Sequence, residues 1–372
     1  MLKATALSKN LKDGLSFSSH GVSSRSQLPI LLNFLLEGKG GNLLVSATDL
    51  EIGLIAKIPA KIENEGSITI PAKTFFDLVS SIEDEKIDLE EKENNLHLKT
   101  SSVNATLPIM ASSDFPKLFE EKGELAARMP KSEFDKEISR VVFASSLDSG
   151  RPALSGVLIK KEEKGLSVVA TDGFRLSLKS NVSLGDKSKI DKMLIPSRAI
   201  KEVLGIKSDG EDKVISIYSS AQNNQVVFEC GDFTVVGRLI EAEYPTYEKI
   251  IPDDFSTNAV FDRLSAQSAV RACSVIAREA ANIIKLSVGK DHVKFYASAS
   301  SVGEDEVEVV AKTEGEENEI AFNGRYLLDL FANVDSEQVE FQMTGPLNAG
   351  VFRIPGDKSF LHLIMPIRVQ DN

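Results

Sequence analysis

Apolar residues recur every three to four positions in six runs of the chain, the spacing that gathers them on one face of an α-helix. In IPAKTFFDLVSSI, for example, Phe75, Phe76, Val79 and Ile82 share a face, and Pro71 suits a first helical turn. We therefore predict six amphipathic helices. The runs are residues 8–20, 70–82, 131–146, 195–206, 261–277 and 322–334.

Between these runs apolar and polar residues alternate, which is the period-two pattern of half-buried antiparallel strands. LEIGLI at 50–55, NLHL at 95–98 and VEFQM at 339–343 all follow it. Segments rich in Gly, Asn and Asp separate many of these runs, and we expect one of them, GKGGN at 38–42, to form a hairpin loop. Strands outnumber helices, so the pattern predicts antiparallel sheets that are covered by helices.

The pattern occurs three times along the chain. IPAKTFFDLVSSI at 70–82, IPSRAIKEVLGI at 195–206 and FNGRYLLDLFANV at 322–334 begin 125 and 127 residues apart. Two strand-like runs also share Ala-Thr-Asp, which aligns Asp49 with Asp172. Solenoid units are only about 20–50 residues long, so this period indicates whole domains. We predict an α+β fold of three repeated domains, each with two helices packed on antiparallel sheet, at residues 1–120, 127–249 and 253–372.

Composition narrows the class of protein further. The 372 residues are 42% apolar, enough for three separate cores, and no apolar run approaches the roughly 20 residues of a membrane span. We see no secretion signal and expect a cytoplasmic protein. Cys230 and Cys273 lack paired spacing and are predicted to be reduced core thiols. The net charge of −12, taken alone, argues against a nucleic-acid-binding protein.

Catalytic motifs are missing from the sequence. It contains no phosphate-binding GxxxxGK[ST], no GxGxxG and no GxSxG, and His20, His97, His292 and His362 show no metal-ligand spacing. We therefore predict a non-enzymatic protein with no cofactor and no metal. Two alternatives stay open at this point. One is a small-molecule enzyme with a site around Asp172 and Arg175, which would need a nucleophile or metal that the sequence does not show, and the other is a cytosolic adaptor that binds only peptides.

The predicted helices carry a different charge from the rest of the chain. They contain eleven basic and eight acidic residues, an excess of +3, which leaves −15 for the remainder. This fits ordinary charged helix faces, but it also fits a shared surface toward a partner that disfavours negative charge. If that partner is duplex DNA, so small an excess cannot hold it by phosphate neutralisation, which weakens steeply with salt. Enclosure of the DNA would then be required.

Ten segments in a fixed order carry a family resemblance. They are LPILLNFLL (28–36), ATDLEIG (47–53), IPAKTFFDL (70–78), DFPKL (114–118), RPALSGVL (151–158), ATDGFRLSL (170–178), IPSRAIKEVL (195–204), YPTYEKIIP (244–252), FNGRYLLDLF (322–331) and MPIR (365–368). With them the chain resembles the bacterial sliding clamp family, the β subunit of DNA polymerase III, over essentially its whole length. The resemblance implies a non-catalytic processivity factor that encircles duplex DNA, built as a head-to-tail homodimer whose six domains form a ring.

The resemblance also assigns interface and DNA-facing residues. It implies that Leu78 and Leu107 contact Val275 and Ile276 of a second subunit, with Lys285 as a polar contact, although the four apolar residues could equally be core residues. The DNA-facing residues that it implies are all basic. They are Arg25, Arg151, Arg198, Lys131, Lys136, Arg140, Lys201, Arg263 and Arg271.

A peptide-binding pocket is the last feature that the resemblance implies. In the family, the polymerase, the clamp loader and repair proteins dock a short, partly hydrophobic motif there. Matching positions in this chain are Leu154, Thr171, Gly173, Phe174, Arg175, Leu176, Pro245, Lys249, Ile250, Asn323, Tyr326, Leu347, Ala349, Leu363, Ile364, Met365, Pro366, Ile367 and Arg368. We expect apolar walls from Leu176, Ile250, Leu363 and Met365, and hydrogen-bond donors from Arg175 and Arg368.

Three departures from the family pattern affect this pocket. Phe174 stands where many relatives have histidine, Lys249 replaces an arginine and loses bidentate geometry, and residues 369–372 extend past Arg368. We expect these differences to tune the motif preference of the pocket without removing it.

Overall fold

The computed structural model of the chain describes residues 1–23, 26–119, 121–148, 150–185, 188–207, 213–220 and 222–368. It divides into two compact units. Unit 1 comprises Met1–Phe134, Leu184–Lys189 and Arg198–Leu239. Unit 2 comprises Asp135–Ser183, Ile190–Ser197 and Ile240–Asn372.

The described residues form seven helices. They are α1 (Ser8–Ser19), α2 (Ala72–Ser81), α3 (Lys131–Val142), α4 (Pro152–Ser155), α5 (Ser197–Gly205), α6 (Arg263–Ala277) and α7 (Gly324–Asn333). All six predicted helices are confirmed. The prediction missed α4, which is a single four-residue turn and too short to show a helical period. Among the described helices, none is long and apolar enough to cross a membrane.

The described residues also form twenty-five strands and three short 3-10 helices, Pro29–Leu32, Ser112–Asp114 and Glu248–Ile250. The first ten are β1 (Lys3–Leu7), β2 (Asn33–Lys39), β3 (Asn42–Thr48), β4 (Ile52–Asn64), β5 (Gly66–Pro71), β6 (Lys86–Lys92), β7 (Asn95–Lys99), β8 (Asn104–Pro108), β9 (Met110–Ala111) and β10 (Glu124–Pro130). The next seven are β11 (Gly156–Glu162), β12 (Gly165–Thr171), β13 (Arg175–Val182), β14 (Lys192–Pro196), β15 (Val214–Ser220), β16 (Gln225–Cys230) and β17 (Phe233–Arg238). The last eight are β18 (Thr257–Asp262), β19 (Ile283–Val288), β20 (His292–Ala299), β21 (Gly303–Gly315), β22 (Asn318–Asn323), β23 (Gln338–Met343), β24 (Gly350–Ile354) and β25 (Asp357–Ile364).

The order of these elements shows a finer repeat than the sequence did. One strand, one long helix and three strands follow one another six times among the described elements, beginning at β1, β5, β10, β14, β18 and β22, with β9, α4 and three short 3-10 helices added. Each of the three predicted repeats is therefore two copies of one smaller motif. The halves share backbone order rather than residue identities, so the sequence displayed only the threefold period.

Each unit contains one continuous antiparallel sheet. Unit 1 holds thirteen strands, β1 to β10 and β15 to β17, and unit 2 holds the other twelve. The strands of the middle repeat are thus divided between the two sheets. In unit 1, β17 pairs with β4, and in unit 2, β25 pairs with β13. We call these two pairings the junctions of the sheets.

The apolar helix faces bury against the sheets as their spacing predicted. Leu11 and Leu15 of α1 and Phe75 and Val79 of α2 are fully buried in the core of unit 1. The core of unit 2 is aromatic. Its rings contact one another edge-on or tilted, with centroids 4.8–6.4 Å apart, and they are Phe261, Phe295, Phe322, Phe331, Phe341 and Phe352.

Two smaller sequence predictions are also confirmed. GKGGN forms the tip of the β2–β3 hairpin, where Gly40 and Gly41 both have positive φ, at +56° and +76°. Such angles are accessible to glycine at little cost. Cys230 and Cys273 are both buried thiols, and neither forms a disulfide among the described residues. Burial raises the pKa of Cys273 to about 11, so this thiol is inert at neutral pH.

Candidate functional site

A tight turn between β12 and β13 forms the centre of the candidate peptide pocket in unit 2. Asp172 Oδ1 accepts hydrogen bonds from the backbone N–H groups of Phe174, at 2.8 Å, and Arg175, at 3.0 Å. The Thr171 hydroxyl donates to the Arg175 carbonyl at 2.6 Å, and Gly173 has φ +92°. This turn leaves Phe174 58% exposed.

Arg175 lies beneath this turn rather than on the pocket surface. Its Nε donates to Asp172 at 3.1 Å, its Nη1 to Asp329 at 2.6 Å, and its Nη2 to the Phe143 carbonyl at 3.0 Å. The guanidinium also stacks on the Tyr326 ring, 4.5 Å from the centroid, and only 8% of the residue is exposed. Three of its donor hydrogens are therefore already used inside the protein, and its expected donation to a ligand stays a prediction.

The apolar part of the predicted pocket has a buried floor and an exposed rim. Leu176, Ala349 and Leu363 are buried in one cluster, against which Tyr244 and Ile251 of the preceding connection pack. Phe174, Ile250, Leu347 and Met365 remain 40–63% exposed. Such exposed apolar side chains over an apolar floor suit Leu or Phe side chains of a ligand.

The end of β25 and the residues after it complete this surface. The Met365 N–H donates to the Phe174 carbonyl at 2.8 Å, and the Ile367 N–H donates to the Ala321 carbonyl at 2.8 Å. The Asn323 side chain caps α7 by accepting from the Arg325 N–H at 3.0 Å. The other predicted pocket residues differ in exposure. Ile364 is fully buried, Leu154, Pro366, Ile367 and Tyr326 are half-buried, and Pro245, Lys249 and Arg368 are exposed.

Residues 369–372 and Arg25 lie outside the described part of the chain, so the expectations for them stay predictions.

A buried polar pair that the sequence analysis missed lies at the unit 2 junction. His362 Nδ1 is 2.6 Å from the Ser177 hydroxyl, the His362 ring is fully buried against the Phe143 ring, and its Nε2 has no hydrogen-bond partner among the described residues. Burial, together with the nearby charge of Arg175, holds the pKa of His362 well below its ordinary value. The imidazole is therefore neutral in the folded protein.

Arg140 belongs to a second buried cluster in unit 2. Its Nη1 lies 3.7 Å from Asp357, and Lys179 contacts Asp357 at 3.0 Å and Glu137 at 3.6 Å. Burial opposes ionisation of Asp357, but hydrogen bonds from Ser359 and Lys179 outweigh it and hold its pKa at about 2. Arg140 is only 7% exposed, and its contact with DNA stays a prediction.

Two further predicted DNA-facing residues point inward. Lys131, in unit 1, has no exposed surface. Arg263, the first residue of α6, is half-buried, and it donates to the Phe331 and Ser336 carbonyls at 2.7 Å each. These residues begin helices, where a basic side chain can fold back on neighbouring carbonyls. Neither side chain is freely exposed in this structure, and their contact with DNA stays a prediction.

Five predicted DNA-facing residues are exposed, namely Lys136, Arg151, Arg198, Lys201 and Arg271. Their contact with DNA stays a prediction. Arg198 is also held in place within unit 1. It forms an ion pair with Asp49, and its Nη2 donates to the His20 carbonyl at 2.6 Å.

The predicted interface residues lie partly at the surface of each unit. In unit 1, Leu78 and Leu107 pack at the margin of the core and are half-buried. In unit 2, Val275 is 64% exposed, Ile276 is half-buried, and Lys285 pairs with Glu319 at 2.7 Å. Their role in an interface stays a prediction. No group of three or more metal-ligating side chains occurs in the described parts of either unit.

Comparison with known proteins identifies the family. The models of the N-terminal, central and C-terminal domains of the DNA polymerase III beta subunit match residues 3–119, 128–246 and 248–368. These matches cover nearly the whole chain, and this protein belongs to the DNA polymerase III beta subunit family.

Named relatives agree with this assignment. The beta sliding clamp of Synechococcus elongatus is 29% identical over 376 residues, covering 99% of this chain and all of the relative, and that of Staphylococcus aureus is 29% identical over 358 residues, covering 93% and 94%. Solved structures of the beta subunit from Thermotoga maritima and of the beta chain from Streptococcus pneumoniae superpose with TM-scores of 0.88 and 0.90, at 26% and 25% identity. The first pair covers all of both chains, and the second covers 99% of this chain and all of the other.

The family settles two expectations from the sequence. The α+β fold of three repeated clamp domains is confirmed. The family is a non-catalytic processivity subunit, so the prediction that this chain is not an enzyme is also confirmed.

Proposed function

We propose that this protein is the sliding clamp of the replicative DNA polymerase and that two copies, joined head to tail, enclose duplex DNA. The observation that supports the closed assembly is a pair of free strand edges. In each unit, one junction joins two series of strands into a single sheet. Each unit also has a described strand whose outer edge is unpaired, at a position equivalent to that of a strand that pairs at a junction. The free edge in unit 1 of one copy can pair with the free edge in unit 2 of a second copy, so each edge gains a strand partner.

The free edge in unit 1 belongs to β8. This strand pairs with β7 alone among the described strands. It ends the series β1–β6–β7–β8, just as β17 ends the series β10–β15–β16–β17. The two series align residue by residue through their strand pairings. The aligned residues are Ala4, Leu89, Leu98 and Ala105 in the first series and Ala127, Ile217, Phe228 and Val235 in the second.

The free edge in unit 2 belongs to the first half of β21. Residues 303–310 pair only with β20 among the described strands, whereas residues 311–315 pair with β18. Its Asp305, opposite Ala297, takes the position that Leu54, opposite Ala47, takes in β4. The first half of β21 is thus equivalent to the part of β4 that accepts β17.

These equivalences define a strand register between two copies. Val235 pairs with Leu54 at the unit 1 junction. By analogy, Ala105 of one copy pairs with Asp305 of the other, and Asn104 pairs with Glu306. A contact of this kind is heterologous, and two of them close a dimer into a ring. Pairing would also remove both exposed sheet edges, which otherwise invite aggregation.

Enclosure explains how an acidic protein can work on DNA. The chain carries a net charge of −12, and only a few of the predicted DNA-facing residues are exposed. Contacts of this kind hold DNA weakly and without sequence preference, which permits sliding. A polymerase tethered to a sliding ring remains near its template because its effective concentration there stays high.

The unit 2 pocket is the proposed tether. Its apolar rim of Phe174, Ile250, Leu347 and Met365 suits a short peptide motif that carries Leu or Phe side chains. We propose that the polymerase, the clamp loader and other motif-bearing proteins compete for it in the cytoplasm. A peptide adaptor that does not enclose DNA is the alternative, and the exposed apolar rim alone would satisfy it.

Paired cysteines test the proposed register. Asn104 and Glu306 are both exposed, and the native cysteines are buried. We expect N104C/E306C to form a disulfide-linked dimer on mild oxidation, seen as twice the chain mass on non-reducing gels. The matched control N104C/E308C shifts the second cysteine by two residues on the same strand face and should cross-link far less. Equal cross-linking of both variants, or of neither, would contradict the register.

A further inference from the structure

Unit 1 contains a groove at its own sheet junction. It encloses about 300 Å³, and its walls come from β4, β16, β17 and the connection after β9. Its lining residues include Leu50, Glu51, Gly53, Leu118, Asn223, Gln225 and Arg238.

The backbone of this groove repeats that of the unit 2 pocket. The Thr48 hydroxyl donates to the Ile52 carbonyl at 2.7 Å, as Thr171 does to Arg175 at 2.6 Å. The Arg238 N–H donates to the Glu51 carbonyl at 3.0 Å, as Met365 does to Phe174 at 2.8 Å. The same surface has therefore been built twice, once at each junction.

Leu50 and Gly173 show how close the repetition is. Leu50 adopts φ +78°, an angle that a leucine rarely takes, at the position where Gly173 has φ +92°. The Asp49 carboxylate supports the turn by accepting from the N–H groups of Glu51 and Ile52 at 3.1 and 3.0 Å. The turn geometry is thus kept in unit 1 even without glycine.

The side chains at equivalent positions differ in chemistry. Val226 pairs with Gly237 in unit 1, and Gly350 pairs with the equivalent residue Ile364 in unit 2, so Val226 and Gly350 are equivalent. Counting back along each chain from these two residues aligns Gln225 with Ala349 and Asn223 with Leu347. The apolar rim of one site is replaced by polar groups in the other. The replacements, written from unit 2 to unit 1, are Phe174 to Glu51, Leu347 to Asn223, Ala349 to Gln225 and Met365 to Arg238.

The apolar floor is also covered in unit 1. Gly53 stands where unit 2 has Leu176, and Leu118 lies over it so closely that a Cβ on Gly53 would be 2.8 Å from Leu118 Cδ2. The Gln225 side chain holds this segment by donating to the Leu118 carbonyl at 3.0 Å. A Leu or Phe side chain of a ligand would find this space filled.

Arg238 lines the groove together with two other charged residues, Lys117 and Glu51. It is exposed, and its guanidinium has no ion-pair partner among the described residues. Asn223 is exposed beside it and offers both a donor and an acceptor. We propose that this groove is a second peptide site, distinct from the apolar pocket, and that it binds an extended acidic segment of a partner protein, with Arg238 pairing to an Asp or Glu carboxylate.

Charge favours a peptide over nucleic acid as the occupant. Glu51 lies in the same groove, and a carboxylate there would repel a continuous row of phosphates. A peptide can place one carboxylate at Arg238 and neutral backbone amides near Asn223 and Glu51. Bidentate Arg–carboxylate pairs also supply the geometric specificity that a groove of this size needs.

Methyl-detected NMR of the full-length protein tests the proposal. The probe is the acetylated peptide EDGSDE, and its uncharged counterpart QNGSNQ is the control. We expect EDGSDE to shift the methyl signals of Leu50, Ile52 and Val236, and QNGSNQ to leave them unchanged. Arg238→Met installs the residue of the other site and should weaken EDGSDE about tenfold or more, whereas Met365→Ala should not.

Other outcomes would overturn the proposal. It fails if EDGSDE produces no shifts at millimolar concentration, or if it binds wild type and R238M equally. It also fails if oligothymidylate shifts these methyls more strongly than the peptide, since the groove would then be a nucleic-acid site. Retention on DNA and binding at the apolar pocket are separate readouts, so a failure here leaves the proposed function untouched.

Discussion

The two sheet junctions of the chain have the same backbone and different chemistry. Backbone hydrogen bonds, a Thr–Asp turn and strand pairing fix the shape in both units, whereas the side chains at matching positions are apolar and exposed in unit 2 and polar in unit 1. Duplication can therefore preserve the shape of a site while the lining residues change what it can bind. In this protein the likeness is visible only in the hydrogen bonds and strand register.

The strongest contrast is at one position of the turn. Arg175 in unit 2 corresponds to Ile52 in unit 1. Replacing Arg175 by isoleucine would leave the carboxylates of Asp172 and Asp329 without their partner. Removal of one member of a buried ion pair costs about 3–5 kcal/mol. We expect R175I to lower the free energy of unfolding by less than this full amount, because Asp329 is partly exposed and solvent screens its charge.

Hydrogen exchange by mass spectrometry would locate this loss. We expect faster exchange in β12, β13 and α7 and unchanged exchange in unit 1. The matched control is Ile52→Leu, a change of shape without charge, which should cost less than about 1.5 kcal/mol. If R175I exchanges like the wild type, Arg175 does not organise the pocket.

The second contrast concerns acid. His362 and Ser177 occupy the junction positions that Val235 and Leu54 occupy in unit 1. The pKa of His362 is lowered in the folded state, so below the ordinary value of about 6.5 the unfolded chain binds a proton that the folded chain does not. Stability should therefore fall by up to about 1.4 kcal/mol per pH unit as the pH drops below that value.

The double variant S177L/H362V, which copies unit 1, isolates this contribution. We expect its stability to lose the slope between about pH 6.5 and pH 5 that the wild type shows. Denaturant titrations at several pH values measure the slope directly. An unchanged slope in the variant would show that other groups cause it.

The third contrast concerns the rim of the apolar pocket. Leu347→Asn copies the polar groove, and we expect it to weaken a labelled peptide with adjacent Leu and Phe residues by about tenfold, the equivalent of losing roughly 1.4 kcal/mol of apolar contact. Fluorescence anisotropy measures the affinity. Asn223→Leu, the reverse change in unit 1, should leave this binding unaffected, and a loss of affinity in that variant would contradict the separation of the two sites.

The smallest effect is expected at the exposed counterpart of Arg175. The turn carboxylate of unit 1, Asp49, also pairs with an arginine, but Arg198 comes from α5 and its side chain is 43% exposed. Exposed ion pairs contribute about 0–1 kcal/mol, so Arg198→Ala should change the unfolding free energy by less than about 1 kcal/mol. If Arg198→Ala lowered the unfolding free energy about as much as R175I, solvent exposure would not explain the different strengths of the Arg198 and Arg175 ion pairs.

Local patterns predicted the helices and the GKGGN hairpin loop, because each depends on residues close together in sequence. The burial of Lys131, Arg140 and Arg175 escaped prediction for the opposite reason. Whether a basic side chain reaches solvent depends on carbonyls and carboxylates that the fold brings from distant segments, as Asp329 and Asp357 show. The pocket residues were located through family resemblance, and their separate roles emerged only from their contacts.

Topological retention on DNA tests the central claim most directly. N104C/E306C would be oxidised in the presence of a nicked circular plasmid or of the same plasmid cut once. The mixture would then pass through a sizing column in about 1 M salt, because a Debye length of about 3 Å removes electrostatic binding. We predict that the cross-linked protein stays with the circle, leaves the linear DNA, and is released from the circle by a restriction enzyme. Equal retention on both forms, or none on the circle despite complete cross-linking, would contradict enclosure.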